Sequence, residues 1–556
     1  MKRTSIPTLL YFVIAICAVT SFSFLGNVNP YSFPSAVQAS KIVACGKILV
    51  DFQNEVTYWE RALTNEVEYP IPSILLAILN LITNVPSILL PFLPITGFTL
   101  SILYLTILKA LQEDVMISNE KEFILMLLSL TIIAFDLFAR NDAHYVGRAT
   151  LGVVFLVLAS YILLMFISNK RNSRRELLLL LILTIVISYT YYTAFLAILT
   201  TIVIYGMLLY TPIFKIFKSN PDKKNGILTL IVIALFLILI RPFISLIRGI
   251  PLSFEKFVGN IMDWILTRLR IEQGEAREFF GEVPIDLYTR ISTVWLGYAI
   301  RLLSIFTFAY YFLNEVIRCR VASKAHVQTL KPADVYAIIT IGSTIAEFFY
   351  TFIVSIISLR LITIFSVFYV PLIIIKIRNS KIRNVLTIFV LISLVLFYVG
   401  TFRSIYMYGK VNTNKYILGL SFYTSSHGES LSRIIITGDS YYTGYLWFMC
   451  NHHNNLDTTS CHIHKGILFT ILDRDIYDLF NSHNIDKTIS CIKKLVASNT
   501  NINLIVVNDG KPMRGTAWGY VTIPSSTNIN FLVNKMNIIY NDKDSLLLKL
   551  VLINFE

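Results

Sequence analysis

The stretch GRATLGVVFLVLASYILLMFISNKRNSRR, residues 147–175, joins an apolar run to a basic cluster. Residues 147–168 are almost entirely apolar, and a helix needs about 20 such residues to cross the hydrocarbon core of a bilayer. Lysines and arginines follow directly at 170, 171, 174 and 175. Because positive charge beside a spanning segment indicates its cytoplasmic side, the stretch predicts a membrane helix of known direction.

The rest of the chain repeats this alternation of apolar runs and basic clusters. Of its 556 residues, 55% are hydrophobic and 15% are charged, whereas soluble globular proteins carry about 25% charged residues. The net charge of +14 could indicate nucleic-acid binding, but most of the excess lies in short Lys/Arg clusters between apolar runs. Composition therefore predicts an α-helical polytopic membrane protein and argues against nucleic acid as a partner.

Eleven apolar segments are long enough, or nearly long enough, to span a bilayer. They lie at about residues 6–25, 86–108, 123–139, 147–168, 177–189, 193–213, 227–247, 292–314, 335–357, 361–377 and 384–403. The fifth and sixth segments could also form one broken helix. A shorter apolar segment at 72–84 is expected to lie at the membrane interface. The first segment has the basic start of a signal peptide, but its length and the lack of a clear cleavage site favour a retained helix.

Charge orients these segments. With the N-terminus inside, the cytoplasmic connections hold 20 lysines and arginines, whereas the three short external turns hold only Arg140 and Arg360. This asymmetry is what the positive-inside rule requires. An odd number of spans then places the C-terminus outside, together with the loops 26–71 and 248–291. The second loop contains an amphipathic stretch that could lie on lipid headgroups or cap the bundle.

The character of the chain changes after the last apolar segment. Residues 1–405 form the predicted transmembrane domain, and from 406 to 556 short β-like runs alternate with helical stretches, which predicts a small extracytoplasmic α/β domain. The β-like runs lie at 433–439, 502–509, 519–524, 536–542 and 546–553. The last two runs are expected to form a hairpin.

Four of the six cysteines lie on the predicted outer side: Cys45, Cys450, Cys461 and Cys491. Four cysteines allow three disulfide connectivities, and Cys450–Cys461 is the simplest pair. The segment CNHHNNLDTTSCHIH (450–464) also holds four histidines, so a zinc site or a solvated polar loop are alternatives. Its spacing matches no defined zinc signature.

Acids and bases collect near the predicted outer membrane surface. The stretch DFQNEVTYWERALTNEVEYP (51–70) carries Asp51 and Glu55, which a helix would place on one face. The next outer turn supplies Asp142 and His144, and the turn after that supplies three tyrosines from SYTYY (188–192). Each loop acid alone is usually just solvated, but topology brings these to one side of one bundle.

Two further acids, Asp136 and Glu347, lie within apolar runs. An ionisable group in such a run is costly and usually has a partner or a function. Pairing with Arg148 or Arg360 is one structural explanation of both acids.

The order of these features resembles the C-type (GT-C) membrane glycosyltransferases. The resemblance lies in a first helix, the external acidic motif DFQNEVTYW, the segment PSILLAILNLITNVP after Tyr69-Pro70, and the later SYTYYTAF, which is similar to an archaeal branch of that superfamily. It covers roughly residues 1–405. Family members use sugars carried on polyprenyl phosphates such as dolichyl phosphate, and many have an external C-terminal domain.

The resemblance implies a set of roles. Asp51 would be the general base, Glu55 would orient the acceptor or bind a metal, and Asp142 would be the second carboxylate. A divalent metal, Mg²⁺ or Mn²⁺, would use the same three carboxylates. Positive charge is needed on the departing phosphate, and Arg360 has the expected depth for it. The remaining substrate-binding candidates are His144, Arg148, Tyr191 and Tyr192.

These expectations describe a cell-membrane enzyme whose active face is extracytoplasmic, with a lipid-linked donor and a glycan or protein acceptor. One alternative is a transporter or flippase for a lipid-linked glycan, which would require polar residues near the bilayer midplane. The other is a non-catalytic scaffold whose external domain binds a surface protein. Polar residues are most frequent at the outer helix ends, which favours surface chemistry over transport.

Overall fold

The computed structural model describes part of the chain, mainly its helices and strands. It covers residues 32–46, 48, 69–87, 90, 93, 95–112, 128, 147–168, 174–210, 221–247, 291, 296–317, 332–354, 360–366, 369–377, 379–407, 434–437, 468–470, 502–507, 513–514, 521–522, 537–541 and 545–549. The predicted first helix, the segment 123–139 apart from Leu128, and nearly all of loop 248–291 lie outside these residues.

Twelve α-helices are described in this part of the chain. They are α1 (Phe33–Cys45), α2 (Ile71–Thr83), α3 (Ile95–Gln112), α4 (Arg148–Ser168), α5 (Arg174–Ser188), α6 (Tyr192–Tyr210), α7 (Pro221–Ile247), α8 (Leu296–Tyr311), α9 (Pro332–Val354), α10 (Arg360–Ser366), α11 (Tyr369–Lys376) and α12 (Ser380–Met407). A π-helical turn, Phe312–Ile317, continues α8.

Three of these helices are long and apolar enough to cross a membrane: Arg148–Ile167, Tyr192–Tyr210 and Ser380–Phe397. At a rise of about 1.5 Å per residue, the 21 residues of α4 match a hydrocarbon core of about 30 Å. Helices of this kind are those of a membrane protein, as the sequence predicts. The full count of eleven spans and their orientation stay predictions.

Helix boundaries depart from hydropathy where local chemistry sets them. Within the predicted segment 86–108, the described helix begins at Ile95, directly after Pro91 and Pro94, which lack the backbone N–H that a helix interior needs. Helix α12 begins four residues before its predicted start, at Ser380, since Asn379 caps it. The side-chain oxygen of Asn379 accepts hydrogen bonds from the N–H groups of Lys381 (3.0 Å) and Ile382 (3.4 Å).

The short apolar segment predicted at the interface forms α2. It starts after Pro70 with Pro72 in its first turn, where a proline is tolerated because the first N–H groups have no intrahelical partner. It ends at Thr83, and the next residue, Asn84, has a left-handed φ of 57° and donates its N–H to the carbonyl of Asn80 at 2.8 Å. Helix α2 packs extensively on α1. Its last turn exposes Leu81 and Ile82.

The predicted segments 177–189 and 193–213 form two helices and not one broken helix. Helix α5 ends at Ser188, and α6 begins at Tyr192 after the short turn 189–191. Helices α4, α5 and α6 all pack on one another. Their buried apolar side chains, such as Val157, Leu180 and Ile198, belong to one core cluster.

The most extensive contact between described helices joins α6 to α9. The hydroxyl of Thr200 donates to the carbonyl of Gly342 at 2.7 Å. A Cβ added to Gly342 would lie 2.7 Å from the backbone nitrogen of Thr201 and 2.8 Å from its Cα. Because only a residue without a side chain permits this approach, Gly342 sets the distance between the two helices.

Strands are confined to the C-terminal region of the described chain. They are β1 (Ile434–Thr437), β2 (Leu468–Thr470), β3 (Ile502–Val507), β4 (Met513–Arg514), β5 (Val521–Thr522), β6 (Asn537–Asn541) and β7 (Ser545–Lys549). Five of them form a mixed sheet in the order β2-β1-β3-β7-β6, and β4 pairs with β5.

The sheet confirms the predicted hairpin. Strands β6 and β7 pair antiparallel, with a register shift between Ile538 and Tyr540. Strand β1 pairs parallel with both β2 and β3, which requires crossover connections. Those connections, at 438–467 and 471–501, lie outside the described residues. The second contains both predicted helices of this region, so an α/β domain stays a prediction.

The α6–α9 crossing predicts the effect of one methyl group. We expect Gly342→Ala to lower the free energy of unfolding in mixed detergent micelles by about 1–3 kcal/mol, because the new Cβ meets the rigid backbone of Thr201. The matched control is Gly206→Ala, whose Cβ would meet the mobile end of Ile231 at 2.9 Å. Its gain in helix propensity, about 1 kcal/mol, should offset that displacement. Equal stability of the two variants would contradict the proposed close approach.

Candidate functional site

The predicted site residues divide into two groups. Arg148, Tyr191 and Tyr192 are described with their side chains, and Arg360 is described through its backbone at the start of α10. The carboxylates Asp51, Glu55 and Asp142, as well as His144, Cys450 and Cys461, lie outside the described residues. Their convergence therefore stays a prediction.

Local hydrogen bonds fix the turn that carries Tyr191. The N–H groups of Thr190 and Tyr191 both donate to the carbonyl of Ile187, at 3.0 and 2.9 Å, and the Thr190 hydroxyl donates to Val186 at 2.6 Å. The carbonyl of Tyr191 then accepts from Phe195 at 3.1 Å as α6 begins. The backbone on both sides of Tyr191 is thus satisfied within the turn, which holds this residue at one end of the bundle.

Tyr191 packs against the second turn of α4. A Cβ added to Gly152 would contact the Cβ of Tyr191 and lie 3.1 Å from two atoms of its ring. Gly152 follows Arg148 by four residues, so both lie on the same face of α4. The turn 189–191 and the N-terminal end of α4 therefore meet, as expected for two neighbouring turns on one side of a membrane.

Arg148 links this end of the bundle to the acidic stretch 51–70. The guanidinium carbon of Arg148 lies 5.5 Å from the centroid of the Tyr69 ring, and both residues are half-buried. A cation over an aromatic face is attracted by the ring quadrupole, by about 0.5–1 kcal/mol at exposed sites. Because Tyr69 directly precedes Pro70 and α2, this contact places the end of the acidic stretch beside α4 and Tyr191.

Glu347, in α9, is one of the two acids that lie within apolar runs of the sequence. Only 4% of it is exposed, and its Oε1 accepts a hydrogen bond from the backbone N–H of Leu361 at 2.7 Å. The donor is the second residue of α10, whose first turn has N–H groups without intrahelical partners. Glu347 therefore anchors the helix that begins at Arg360.

The buried amine of Lys41 is a feature that sequence reasoning missed. Lys41 lies in α1, within the predicted external loop 26–71, and its side chain is almost fully buried. Burial disfavours the charged form, so the pKa of the Lys41 amine lies below its ordinary value of 10.5. A sequence signal was present, because Ser32, Ser35, Gln38 and Lys41 recur at a spacing of three and all are buried.

Cys45, the last residue of α1, is disulfide-bonded. This fits the predicted oxidising exterior, since disulfides persist outside the cytosol. Every other cysteine lies outside the described residues, so the predicted Cys450–Cys461 pair stays a prediction.

Among the described residues, no group of three or more His, Cys, Asp or Glu side chains could hold a metal ion. The three carboxylates proposed as metal ligands belong to the undescribed part of the chain. The metal site therefore stays a prediction as well.

The contact between Arg148 and Tyr69 predicts a measurable coupling. In a double-mutant cycle with Arg148→Gln and Tyr69→Leu, we expect a coupling of about 0.5–1 kcal/mol in the free energy of unfolding. Tyr69→Phe is the control, since it keeps the ring face and should keep the coupling. Additive effects in the Leu cycle would contradict an interaction between the two side chains.

Burial of Lys41 predicts that the stability of the folded chain depends on pH. Between its lowered pKa and 10.5, the unfolded chain binds more protons at this site than the folded chain, so the stability contributed by Lys41 rises with pH. We expect Lys41→Met to lose this rise, seen as a smaller increase in thermal midpoint on approaching pH 10.5. Lys41→Arg, which remains charged, should be less stable throughout. If the thermal midpoints of the wild type and Lys41→Met changed in parallel with pH, the effect of burial on the Lys41 amine would be refuted.

No protein-family model matches the chain, and no curated protein matches it. Among solved structures, the chain is similar to the crystal structure of an oligosaccharyltransferase from Archaeoglobus fulgidus in its apo form. The TM-score is 0.47 at 10% sequence identity, over 90% of this chain and 69% of the other. A similarity of this size is too weak to assign a fold or an activity to this chain.

Proposed function

We propose that the chain is a membrane glycosyltransferase that uses a sugar linked to a polyprenyl phosphate. The acceptor is a hydroxyl or amide of a glycan or protein on the extracytoplasmic side. The observation that carries the proposal is the contact of Arg148 with Tyr69 beside Tyr191. Three elements that the sequence predicts at the outer surface thus lie together: the end of the acidic stretch, the start of α4 and the turn 189–191.

The arrangement suits a donor that is itself a lipid. Its polyprenyl chain would lie in the bilayer, its phosphate at headgroup level, and its sugar beyond the helix ends. Arg148 and the start of α10 at Arg360 supply positive charge at helix termini. Tyr191 and Tyr192 supply aromatic surface at the turn between α5 and α6, where a sugar face could pack.

The reaction needs a base for the acceptor and a cation for the leaving group. In this proposal Asp51 takes the proton of the acceptor O–H or N–H as that atom bonds to the anomeric carbon. The bond from the anomeric carbon to the phosphate oxygen breaks, and its electron pair leaves with the polyprenyl phosphate. Arg360 stabilises the charge on that phosphate, and Glu55 orients the acceptor.

A divalent cation is compatible with this donor set. Asp51, Glu55 and Asp142 are carboxylates, the ligand type that Mg²⁺ and Mn²⁺ take from proteins. Such an ion would lower the charge density of the donor phosphate when bound.

The proposal predicts that Asp51→Asn slows the chemical step. We expect a fall of about 10²- to 10⁴-fold in single-turnover transfer from a synthetic polyprenyl-phosphate sugar, because a positioned base contributes this much. The matched control is Glu66→Gln, which removes an acid of the same stretch that we expect to be only solvated. Its transfer rate should stay unchanged.

An Asp51→Asn protein with full transfer activity would remove Asp51 as the base. If the wild type transfers no sugar but moves the same lipid between the leaflets of a vesicle, the transporter alternative replaces the enzyme.

A further inference from the structure

The hydrogen bond between Glu347 and Leu361 joins two elements that are close in sequence but fold back on each other. Glu347 lies seven residues before the end of α9 at Val354, and Leu361 is the second residue of α10. Residues 355–359 connect the two helices, which pack on each other. A 2.7 Å bond across this reversal fixes the start of α10 at the level of Glu347.

A carboxylate is costly at this position, which argues for a specific role. Glu347 is almost fully buried in a helix whose neighbouring positions are largely apolar, and ionisable residues in such segments are rare unless they are paired or functional. A carboxylate that accepts a backbone N–H in the first turn of a helix forms a charge-assisted bond with a group that has no intrahelical partner. The interaction is therefore suited to hold the N-terminal end of α10 against α9.

Apolar packing supplies the rest of the anchor. Leu361, Ile364 and Phe365 of α10 are all buried, at 2% exposure or less. These residues place one face of α10 in the core cluster, and apolar packing is by nature non-directional. The bond to Glu347 is directional, so it defines the position of α10 along α9.

We propose that Glu347 is a positioning residue for Arg360. By fixing the N–H of the following residue, it fixes the depth at which the Arg360 backbone begins α10, and with it the reach of the cation toward the phosphate of a lipid-linked donor. This inference depends on the proposed function for the role of Arg360. The anchoring of α10 by Glu347 can be tested without it.

The test compares variants that keep or lose the acceptor oxygen. Glu347→Gln keeps an oxygen at the same reach and should raise the KM for the polyprenyl-phosphate sugar less than about threefold. Glu347→Leu loses the oxygen and should raise it about tenfold or more, which is the size expected for one hydrogen bond to a charged group. The KM for the acceptor should stay unchanged in both variants, whereas a general loss of structure would alter both constants.

Arg360→Gln is the matching variant, because it removes the cation that Glu347 is proposed to position. It should raise the donor KM as Glu347→Leu does, and the double variant should be no worse than Arg360→Gln alone, because both act through one cation. Multiplied effects would overturn the positioning role. Glu347→Gln as impaired as Glu347→Leu would also overturn it, since the charge and not the acceptor oxygen would then matter.

A second measurement separates this inference from the proposed function. In an Arg360→Cys background, modification of residue 360 by a membrane-impermeant maleimide reports its depth. We expect Glu347→Leu to change that rate and Glu347→Gln to preserve it, even if no sugar donor is ever used. Should Glu347→Leu not fold, Glu347→Asp replaces it, because the shorter side chain withdraws the oxygen. Unchanged labelling in the variant without the bond would refute the anchor.

Discussion

The structure depends on one constraint: within apolar surroundings, each polar group must find its partner inside the protein. Several buried hydroxyls meet it locally by donating to the carbonyl one turn earlier. Ser160 donates to Leu156 and Thr184 to Leu180, both at 2.7 Å. Such bonds leave the outer helix surfaces apolar, and exposed side chains such as Phe236, Phe306 and Phe389 cover them. Polar residues within the described helices thus remain compatible with lipid.

A few polar contacts instead connect different elements, and these determine the arrangement of the bundle. Thr200 reaches from α6 to the carbonyl of Gly342 in α9. Glu347 reaches from α9 to α10, and Arg148 reaches from α4 to Tyr69 before α2. The Thr200 hydroxyl also lies 2.8 Å from the carbonyl of Leu196 in its own helix, so its contact with Gly342 adds to a local one. The first contact joins the middles of two helices, the second holds the start of α10, and the third holds the end of the acidic stretch 51–70 against the start of α4.

Hydropathy could predict the helices because their apolar length is a local property. The segment predicted at 147–168 is helical over Arg148–Ser168, and the two predicted at 177–189 and 193–213 are α5 and α6. Hydropathy could not predict helix ends that lie beyond the apolar part. Helix α7 begins at Pro221, six residues before its predicted start, since a proline at the first position favours a helix whatever the polarity of the residues that follow. The π-helical turn after α8 had no sequence signal that we recognised.

The candidate site was only partly predictable, because its partners are set by packing between distant segments. Tyr191 packs on Gly152, four residues after Arg148 in α4, which agrees with the expectation that neighbouring turns of a bundle meet. Topology could not indicate that Tyr69 would be the partner of Arg148, or that Gly152 would provide the space for Tyr191. Glu347 shows the same limit. Its cost in an apolar run indicated a purpose, and an arginine partner was the natural expectation from charge alone.

The N–H of Leu361 is one partner of Glu347, and pairing of Glu347 with Arg148 or Arg360 stays a prediction. Every residue except proline carries a backbone N–H, so the sequence does not distinguish this donor, and only the fold shows that a helix start lies beside the acid. A bond to the backbone N–H fixes the start of α10 itself, whatever side chain that helix start carries. An acid buried in a helix can therefore position a neighbouring element through the backbone of that element.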